Sequence, residues 1–215
     1  MKSSLVVKAV SGLLLVCALG ACAPLMIAGV AGTAMVASDR RTSGAQLEDE
    51  AIELRAQARI RDNLGERVHV NVTSFNRQVL LTGEVTAEKD RQAVLQLVER
   101  IENVKAVVNE LSVTPLSTLS ERSNDLLIVA KVKASYVDSR DLFANAFKVV
   151  AERGTVYLMG RVTLREANSA TQVTRNVGGV NKVVRLFEII SEDELRNLLP
   201  PPTPTPAEDS AKPAK

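Results

Sequence analysis

The sequence predicts an α+β fold made of two tandem copies of one small domain, each with the element order α-β-β-α-β. A repeated segment carries this prediction, because VLLTGEVT at 79–86 reappears as VYLMGRVT at 156–163 and puts Gly83 and Gly160 at equivalent positions. Around each copy, apolar residues alternate as in strands and then recur at helical spacing. We therefore expect two small three-stranded mixed sheets, each packed on two helices.

The elements of the two copies match in order. The first helix of each copy carries an apolar face, formed by Ile52, Ala56 and Ile60 and by Ile128, Val132 and Tyr136. A hairpin follows in each copy, with turns at 76–77 and 153–154. The second helices are predicted within 88–101 and 165–177, and the last strands at 106–113 and 182–190.

Several polar residues and glycines of the two copies are interpreted as structural. The acidic run at 48–50 and Asp125 lie near the starts of helices, where carboxylates favour the positive end of the helix dipole. Gly83 and Gly160 interrupt predicted strands and are interpreted as structural glycines that allow close backbone packing. His69 alternates with valines on a strand, so its side chain is expected to point to solvent.

The N-terminus has the organisation of an export signal. Lys2 and Lys8 flank a short polar start, and residues 9–19 form an apolar run that is too short to span a bilayer. The segment ends in Leu-Gly-Ala at 19–21 before Cys22, which resembles a bacterial lipobox. We expect an N-acyl and S-diacylglycerol lipid on Cys22 and no other cofactor. The alternative is a signal peptide that merely contains a cysteine.

Changes in composition divide the whole chain into six segments. They are a signal peptide (1–21), a lipidated tether (22–46), a first domain (47–114), a linker (115–122), a second domain (123–191) and a tail (192–215) that is expected to be disordered. The linker is rich in Ser and Thr and contains Pro115, and six of the eight prolines lie in the tail. Ala23, rather than Asp, follows the cysteine. In such lipoproteins this indicates anchoring in the outer membrane, on the periplasmic face.

The composition argues against several classes of function. The 27 Lys and Arg residues against 25 Asp and Glu residues give a net charge of +2, so no nucleic-acid partner is expected. With one His, two Cys and no Trp, the chain lacks the residue types that most catalytic and metal sites require. We therefore expect no enzyme, no catalytic residue and no metal site.

Several short motifs occur together in this chain. They are the helix that opens with Asp125 and carries Ile128, Val132 and Tyr136, the hydrophobic-Gly-x-Val pattern at Gly83 and Gly160, GVNKV at 179–183, and DRRTSGAQ at 39–46 behind the lipobox. Across 22–190 they resemble the dual BON-domain outer-membrane lipoproteins of Gram-negative bacteria. The resemblance implies binding of phospholipid membrane, especially anionic lipid, a role in envelope integrity, and no catalysis.

The first helix of the second copy has another apolar sector, opposite its core face. Its apolar residues are Leu126, Leu127, Ala130, Ala134 and Val137, and Lys131 and Lys133 lie at its margins. An apolar strip edged by lysines suits an anionic bilayer surface, so these seven residues are the predicted membrane-binding site. Glu50 and Arg61 replace Leu126 and Val137 in the first copy, so the second domain is expected to carry the interaction.

Two alternatives stay open at this point. The same sector could pack against the first domain or against a C-terminal helix around 192–199. The function could also be that of a protein-interaction adaptor for envelope-assembly or cell-wall proteins. Envelope-assembly and cell-division proteins are accordingly a second candidate class of partner beside the membrane.

Overall fold

The elements form in the predicted order in both copies. A computed structural model of the chain describes residues 39–139 and 141–198. Within these residues it shows two α+β units, each with one mixed sheet, as the sequence predicts. The predicted signal peptide, Cys22, most of the tether and the proline-rich part of the tail lie outside the described residues.

Each copy has a central strand between an antiparallel and a parallel neighbour. The first copy contains α1 (Ser43–Leu64), a 3-10 turn (Gly65–Arg67), β1 (Val68–Phe75), β2 (Gln78–Val85), α2 (Glu88–Glu99), β3 (Ala106–Asn109) and β4 (Ser112–Val113). The second contains α3 (Leu119–Asp138), a 3-10 turn (Ala144–Ala146), β5 (Phe147–Glu152), β6 (Thr155–Thr163), α4 (Leu164–Arg175) and β7 (Lys182–Ile190), and α5 (Glu192–Leu198) follows. Strand β2 pairs antiparallel with β1 and parallel with β3 and β4, and β6 pairs antiparallel with β5 and parallel with β7.

Three helices begin or lie outside their predicted segments. Helix α1 begins within the predicted tether and α3 within the predicted linker, because the hydroxyls of Thr42 and Thr118 cap their first turns. Helix α5 lies at the start of the tail that was expected to be disordered. Its Leu195 is buried, which gives this short helix an apolar attachment to the body. None of the described helices is long and apolar enough to cross a membrane.

The last strand of the first copy is interrupted, whereas one continuous strand was predicted. Strands β3 and β4 pair with β2 in the same register on either side of the break. At the break, the Leu111 N–H donates to the side-chain oxygen of Asn109 at 3.2 Å instead of continuing the ladder. Leu111 itself is buried in the core of the first copy, so the interruption still contributes to packing.

The helices cover the outer faces of the sheets and build two separate cores. Ile52, Ala56 and Ile60 are buried in the first core, and Ile128, Val132 and Tyr136 are buried in the second. The helical spacing of Ala93, Leu97 and Ile101 predicts that they form the core face of the second helix. In α2, however, the fully buried apolar residues are Val94 and Val98, and Ala93 and Leu97 are only partly buried. The helix is therefore rotated slightly from the predicted orientation.

The two copies also share a third apolar cluster, where their sheets face each other. Its buried members are Phe75, Leu80, Tyr157 and Met159. In β2 and β6 the alternate residues point to the helices, as Leu81 and Leu158 do. Both faces of each central strand are therefore buried, and the helix layers lie on the outside of two stacked sheets. This explains the unbroken apolar runs at 79–81 in β2 and 156–159 in β6.

Gly83 is placed where its backbone approaches a neighbouring strand. Its φ is +111°, and a Cβ at this position would lie 2.1 Å from the carbonyl oxygen of His69. The equivalent Gly160 also has no room, since a Cβ there would lie 2.6 Å from the carbonyl oxygen of Ala146. The first position excludes a side chain by both conformation and space, and the second by space alone.

Asp49 and Asp125 do not act as helix caps, contrary to the sequence-based interpretation. Both are buried one turn or more into their helices, and each binds the hairpin turn of its own copy. Oxygens of Asp49 accept hydrogen bonds from the N–H groups of Asn76 and Arg77, both at 2.8 Å. Asp125 accepts equivalent bonds from the turn at 153–154. These carboxylates therefore tie the helix to the turn and replace hydrogen bonds that the tight turn cannot form itself.

Candidate functional site

Helix α3 contains all seven residues of the predicted membrane-binding site. A reciprocal capping box starts the helix: the Glu121 N–H donates to Thr118 Oγ1, and the Thr118 N–H donates to Glu121 Oε2 at 2.7 Å. The helix has 20 residues and is therefore about 30 Å long. This length is enough to present a continuous surface over five turns.

The inner face of α3 is fixed firmly to the second domain. Ile128, Val132 and Tyr136 are almost completely buried, and the Tyr136 ring packs on Phe147 at a centroid distance of 5.1 Å. Its hydroxyl lies 2.6 Å from Thr174 Oγ1 on α4. Burial raises the pKa of Tyr136 to about 12, although the bond to Thr174 partly opposes this rise. The rotation of the helix is thereby set, and the opposite face must point outwards.

The outward face carries a strip of apolar residues, interrupted near its start by Ser123, which we call the outer strip of α3. It consists of Leu119, Leu126, Leu127, Ala130, Ala134 and Val137, all of which are exposed. The exposed fractions are 80% for Leu119, 71% for Leu126, 58% for Leu127 and 73% for Val137. On an ideal helix these six residues fall within about 100° of one another. The strip is therefore an apolar surface that the described part of the chain leaves uncovered.

The alternative packing of this sector is not what the structure shows. Helix α5 lies against β6, and its Leu195 is buried there, while Leu126 and Val137 stay exposed. The first domain meets the second through the facing sheets. Leu126 lines the cleft between the domains but stays 71% exposed. Among the described residues, neither the first domain nor α5 covers the outer strip.

Two lysines flank the outer strip, and both are exposed. Within the described residues, neither Lys131 nor Lys133 forms an ion pair or a hydrogen bond through its ammonium group. A groove of about 440 Å³ opens beside Lys131 and is lined by Ser135 on α3 and by Asn176 and Gly178 after α4. The flanks of the strip thus offer positive charge and hydrogen-bonding groups to an anion at the protein surface.

The equivalent face of α1 differs in charge. Leu54 is 68% exposed there, so this helix also presents apolar surface. Glu50 and Arg61, however, are exposed on the same face at the positions of Leu126 and Val137. If each face were inserted into an apolar phase, α1 would bring two charges with it, whereas the outer strip of α3 would bring none.

Sequence reasoning missed two exposed apolar residues of this region. Leu119 belongs to the outer strip but lies within the predicted linker, because Pro115 and the Ser and Thr residues around it are typical of a linker rather than of a helix start. The capping pattern Thr118-x-x-Glu121 was the available signal. Phe143, in the loop after α3, is the exposed member of the six aromatic side chains. Its exposure follows from the tertiary fold and left no pattern in the sequence.

His69 does not point to solvent, contrary to the prediction. Its Nδ1 lies 2.9 Å from Oε2 of the buried Glu84, which is paired with it across the hairpin. Glu152, at the end of β5, reaches the same place from the second domain. Burial is the main reason that the pKa of Glu152 is raised, and the charges of Glu84 and Asp125 raise it further.

Comparison with known proteins identifies one domain family and related proteins. The BON domain family model matches residues 48–115 and 124–191. "Outer membrane lipoprotein DolP" of Haemophilus influenzae is 34% identical over 172 residues, which cover 79% of this chain and 89% of the relative. The "21 kDa hemolysin" of Actinobacillus pleuropneumoniae is 29% identical over 154 residues, covering 71% of this chain and 79% of the relative.

Among solved structures, the chain is similar to CdsD, a structural protein of the type III secretion system of Chlamydia trachomatis. The match covers 71% of this chain and 96% of that chain, with 16% identity and a TM-score of 0.29.

Proposed function

Because this chain belongs to the BON-domain family and to its dual-domain outer-membrane lipoproteins, we propose that it docks on anionic phospholipid through the outer strip of α3. The protein is proposed to be non-enzymatic, to be anchored by lipid on Cys22 at the periplasmic face, and to support the integrity of the envelope. The similarity to the 21 kDa hemolysin, a protein named for its action on cells, agrees with this proposal.

The exposure of the outer strip is the observation that supports lipid docking most directly. Full burial of a large aliphatic side chain contributes about 1.5–3 kcal/mol, so Leu119, Leu126, Leu127 and Val137 together could stabilise a surface complex substantially. The lysines at its margins add about 1 kcal/mol each near an anionic surface. A helix that lies in the interface plane uses this combination of one apolar face and flanking cations.

The lipid on Cys22 and the outer strip would have different tasks. Two or more acyl chains already give stable anchoring, so α3 is not needed to keep the protein on the membrane. Docking through α3 would instead fix which surface of the protein faces the bilayer. The opposite surface would then be presented to the periplasm in a constant orientation.

Vesicle sedimentation of the chain that carries Cys22→Ser tests the docking without the lipid anchor. We expect co-sedimentation with vesicles that contain anionic phospholipid and much less with purely zwitterionic vesicles. Leu126→Glu with Leu127→Glu should reduce the bound fraction at least tenfold, because two charges would have to enter an apolar phase. Leu54→Glu on α1 is the matched control and should leave binding unchanged.

The main rival is an adaptor that uses the same outer strip to bind an envelope-assembly, cell-wall or cell-division protein. A photo-cross-linker at Leu127 in living cells distinguishes the two functions. Adducts to lipid support docking on the membrane, and one stoichiometric protein adduct without any vesicle binding supports the adaptor. Wild-type protein that ignores anionic vesicles would overturn the lipid proposal.

A further inference from the structure

We propose that His69, Glu84 and Glu152 form a binding site for one divalent transition-metal ion, with Zn²⁺ as the best match, at the contact between the two domains. One potential ligand atom from each residue lies within 4.8 Å of the other two. His69 and Glu84 come from the hairpin of the first domain, and Glu152 comes from β5 of the second. None of the three ligands belongs to the outer strip of α3, although Leu126 of that strip lines the cleft that leads to them.

The positions of the three residues follow from the stacking of the sheets. On β1, β2 and β5 they belong to the faces that turn towards the other domain, together with Leu80 and Val150 of the shared apolar cluster. His69 and Glu84 are direct cross-strand partners. The hairpin therefore brings together His69 and Glu84, which are 15 positions apart in the chain, and the stacking of the two sheets adds Glu152, 68 positions beyond Glu84.

The charges at this place favour a cation. Glu84 is fully buried and Glu152 nearly so, and Asp125 is buried close by. Two arginines face this group: Arg153 Nη1 lies 3.4 Å from Glu84 Oε1, and Arg122, which lines the same cleft, donates through Nε to Ser117 Oγ at 3.0 Å. Three carboxylates against two arginines still leave a negative excess in a largely buried place, which a divalent ion would offset.

Surrounding groups hold the carboxylates as the outer shell of a metal site would. The N–H and hydroxyl of Ser117 both donate to Glu84 Oε2, at 3.2 and 3.0 Å. Asn71 Nδ2 donates to Glu152 Oε2 at 2.9 Å. Such partners fix the direction of ligand oxygens and sharpen the geometry for a metal.

The set of ligands and the access route indicate the class of ion. One imidazole nitrogen and two carboxylate oxygens form a three-ligand set that suits Zn²⁺, with a fourth position left for water. Mg²⁺ and Ca²⁺ prefer sites made entirely of oxygen ligands. A cleft of about 430 Å³ between the domains is lined by His69, Asn71, Asp125 and Glu152, so an ion can reach the site from solvent. A bound ion would connect the two domains directly.

The test uses the untagged chain that carries Cys22→Ser, stripped of metal by chelation. His69 is the one histidine of the chain, so its imidazole NMR signals report on this site alone. We expect Zn²⁺ to shift these signals with saturation at one equivalent, and calorimetry to give the same stoichiometry. Mg²⁺ at the same concentration should leave the signals unchanged.

Variants then assign the ligands. Glu152→Gln and His69→Gln should each weaken Zn²⁺ binding at least tenfold, and Glu102→Gln, at an exposed turn, is the matched control. Circular dichroism of the metal-free variants checks that they fold. Unchanged His69 signals on addition of Zn²⁺ to the wild type would overturn the proposal by themselves. Zn²⁺ binding that persists in His69→Gln and Glu152→Gln would overturn it as well.

Discussion

Arg40 and Glu166 form a bidentate, buried ion pair between the segment that precedes α1 and the second domain. Nη1 and Nη2 of Arg40 donate to the two carboxylate oxygens of Glu166 at 2.8 and 2.6 Å. The next residue, Arg41, binds Asp49 of the first domain at 2.7 Å and lies over the ring of Phe75. Two consecutive arginines thus fasten the segment before α1 to both domains.

Arg40→Ala should lower the free energy of unfolding by about 3–5 kcal/mol, because Glu166 would stay buried without its counter-charge. Urea denaturation measures this change. Arg61→Ala is the control, since the Arg61–Asp62 pair is exposed and 3.7 Å apart and should contribute at most about 1 kcal/mol. A loss of unfolding free energy in Arg40→Ala no larger than that of the control would show that the buried pair contributes little to stability.

Asp49 should make stability depend on pH in the acid range. Burial alone would raise its pKa, but hydrogen bonds from the Arg77 N–H, Ser74, Arg41 and the Asn76 N–H outweigh burial and hold the pKa below the usual 3.8. A lowered folded-state pKa means that the charged form stabilises the fold at pH values above the unfolded pKa. This contribution is lost as the pH falls below about 3.8, through the folded-state pKa.

Asp49→Asn tests this dependence. The difference in unfolding free energy between wild type and variant should be largest near neutral pH and should shrink as the pH falls below about 4. Asp62→Asn, at an exposed position, should show a small difference at every pH. A constant difference for Asp49→Asn between neutral and acid pH would contradict the assignment.

Gly83→Ala should destabilise the first domain by about 3 kcal/mol, because the new Cβ would collide with the His69 carbonyl oxygen at a φ of +111°. Gly65→Ala separates the two contributions. Gly65 has a φ of +59° and no atom within 4 Å of the Cβ position, so only backbone strain of about 1 kcal/mol is expected. Thermal melting of both variants checks the order, and equal losses would mean that the collision at Gly83 is relieved.

Lys131→Gln with Lys133→Gln should weaken binding to anionic vesicles by roughly 5-fold to 30-fold, since each lysine near the surface contributes about 1 kcal/mol. The dependence of binding on salt should also become weaker, because fewer charges are screened. Lys105→Gln, on the first domain, is the control. Equal salt dependence in the wild type and the double variant would exclude these lysines from the contact.

The lipid affinities of the α1 and α3 faces are better compared with variants of the intact chain than with isolated domains. Separating the copies would expose Leu80 and Tyr157, which are buried against each other's domain. This newly exposed apolar surface would itself bind vesicles, so the binding would not report on α1 or α3. Point substitutions on α1 and α3 leave that contact intact.

Local patterns were sufficient to predict the fold. The period of the apolar residues in Ile52, Ala56 and Ile60, and the repeat around Gly83 and Gly160, depend on neighbours in the chain, and the structure has the helices and strands that they predict. The first residues of α1 and α3 could not be predicted in this way, because their caps Thr42 and Thr118 lie in polar stretches that resemble linkers. The apolar outer strip could be predicted because helical spacing alone separates it from the core face.

Contacts between distant residues could not be predicted in the same way. The alternation along its strand predicts that His69 points to solvent, yet its neighbours are carboxylates brought in by the hairpin and by the other domain. The sequence likewise places Asp49 and Asp125 near the starts of helices, which predicts an interaction with the helix dipole. Their true partners are turns that lie close only after the sheet has formed.

The shared cluster has a consequence for how such repeats can evolve. Leu80 and Tyr157 occupy equivalent positions in the two copies, so each copy covers the other with the same strand face. A chain with a single copy would leave this face bare and would need a second molecule to cover it, as in a symmetric homodimer. The tandem arrangement is thus equivalent to a dimer joined into one polypeptide. In related tandem chains, substitutions at these two positions should therefore occur in compensating pairs.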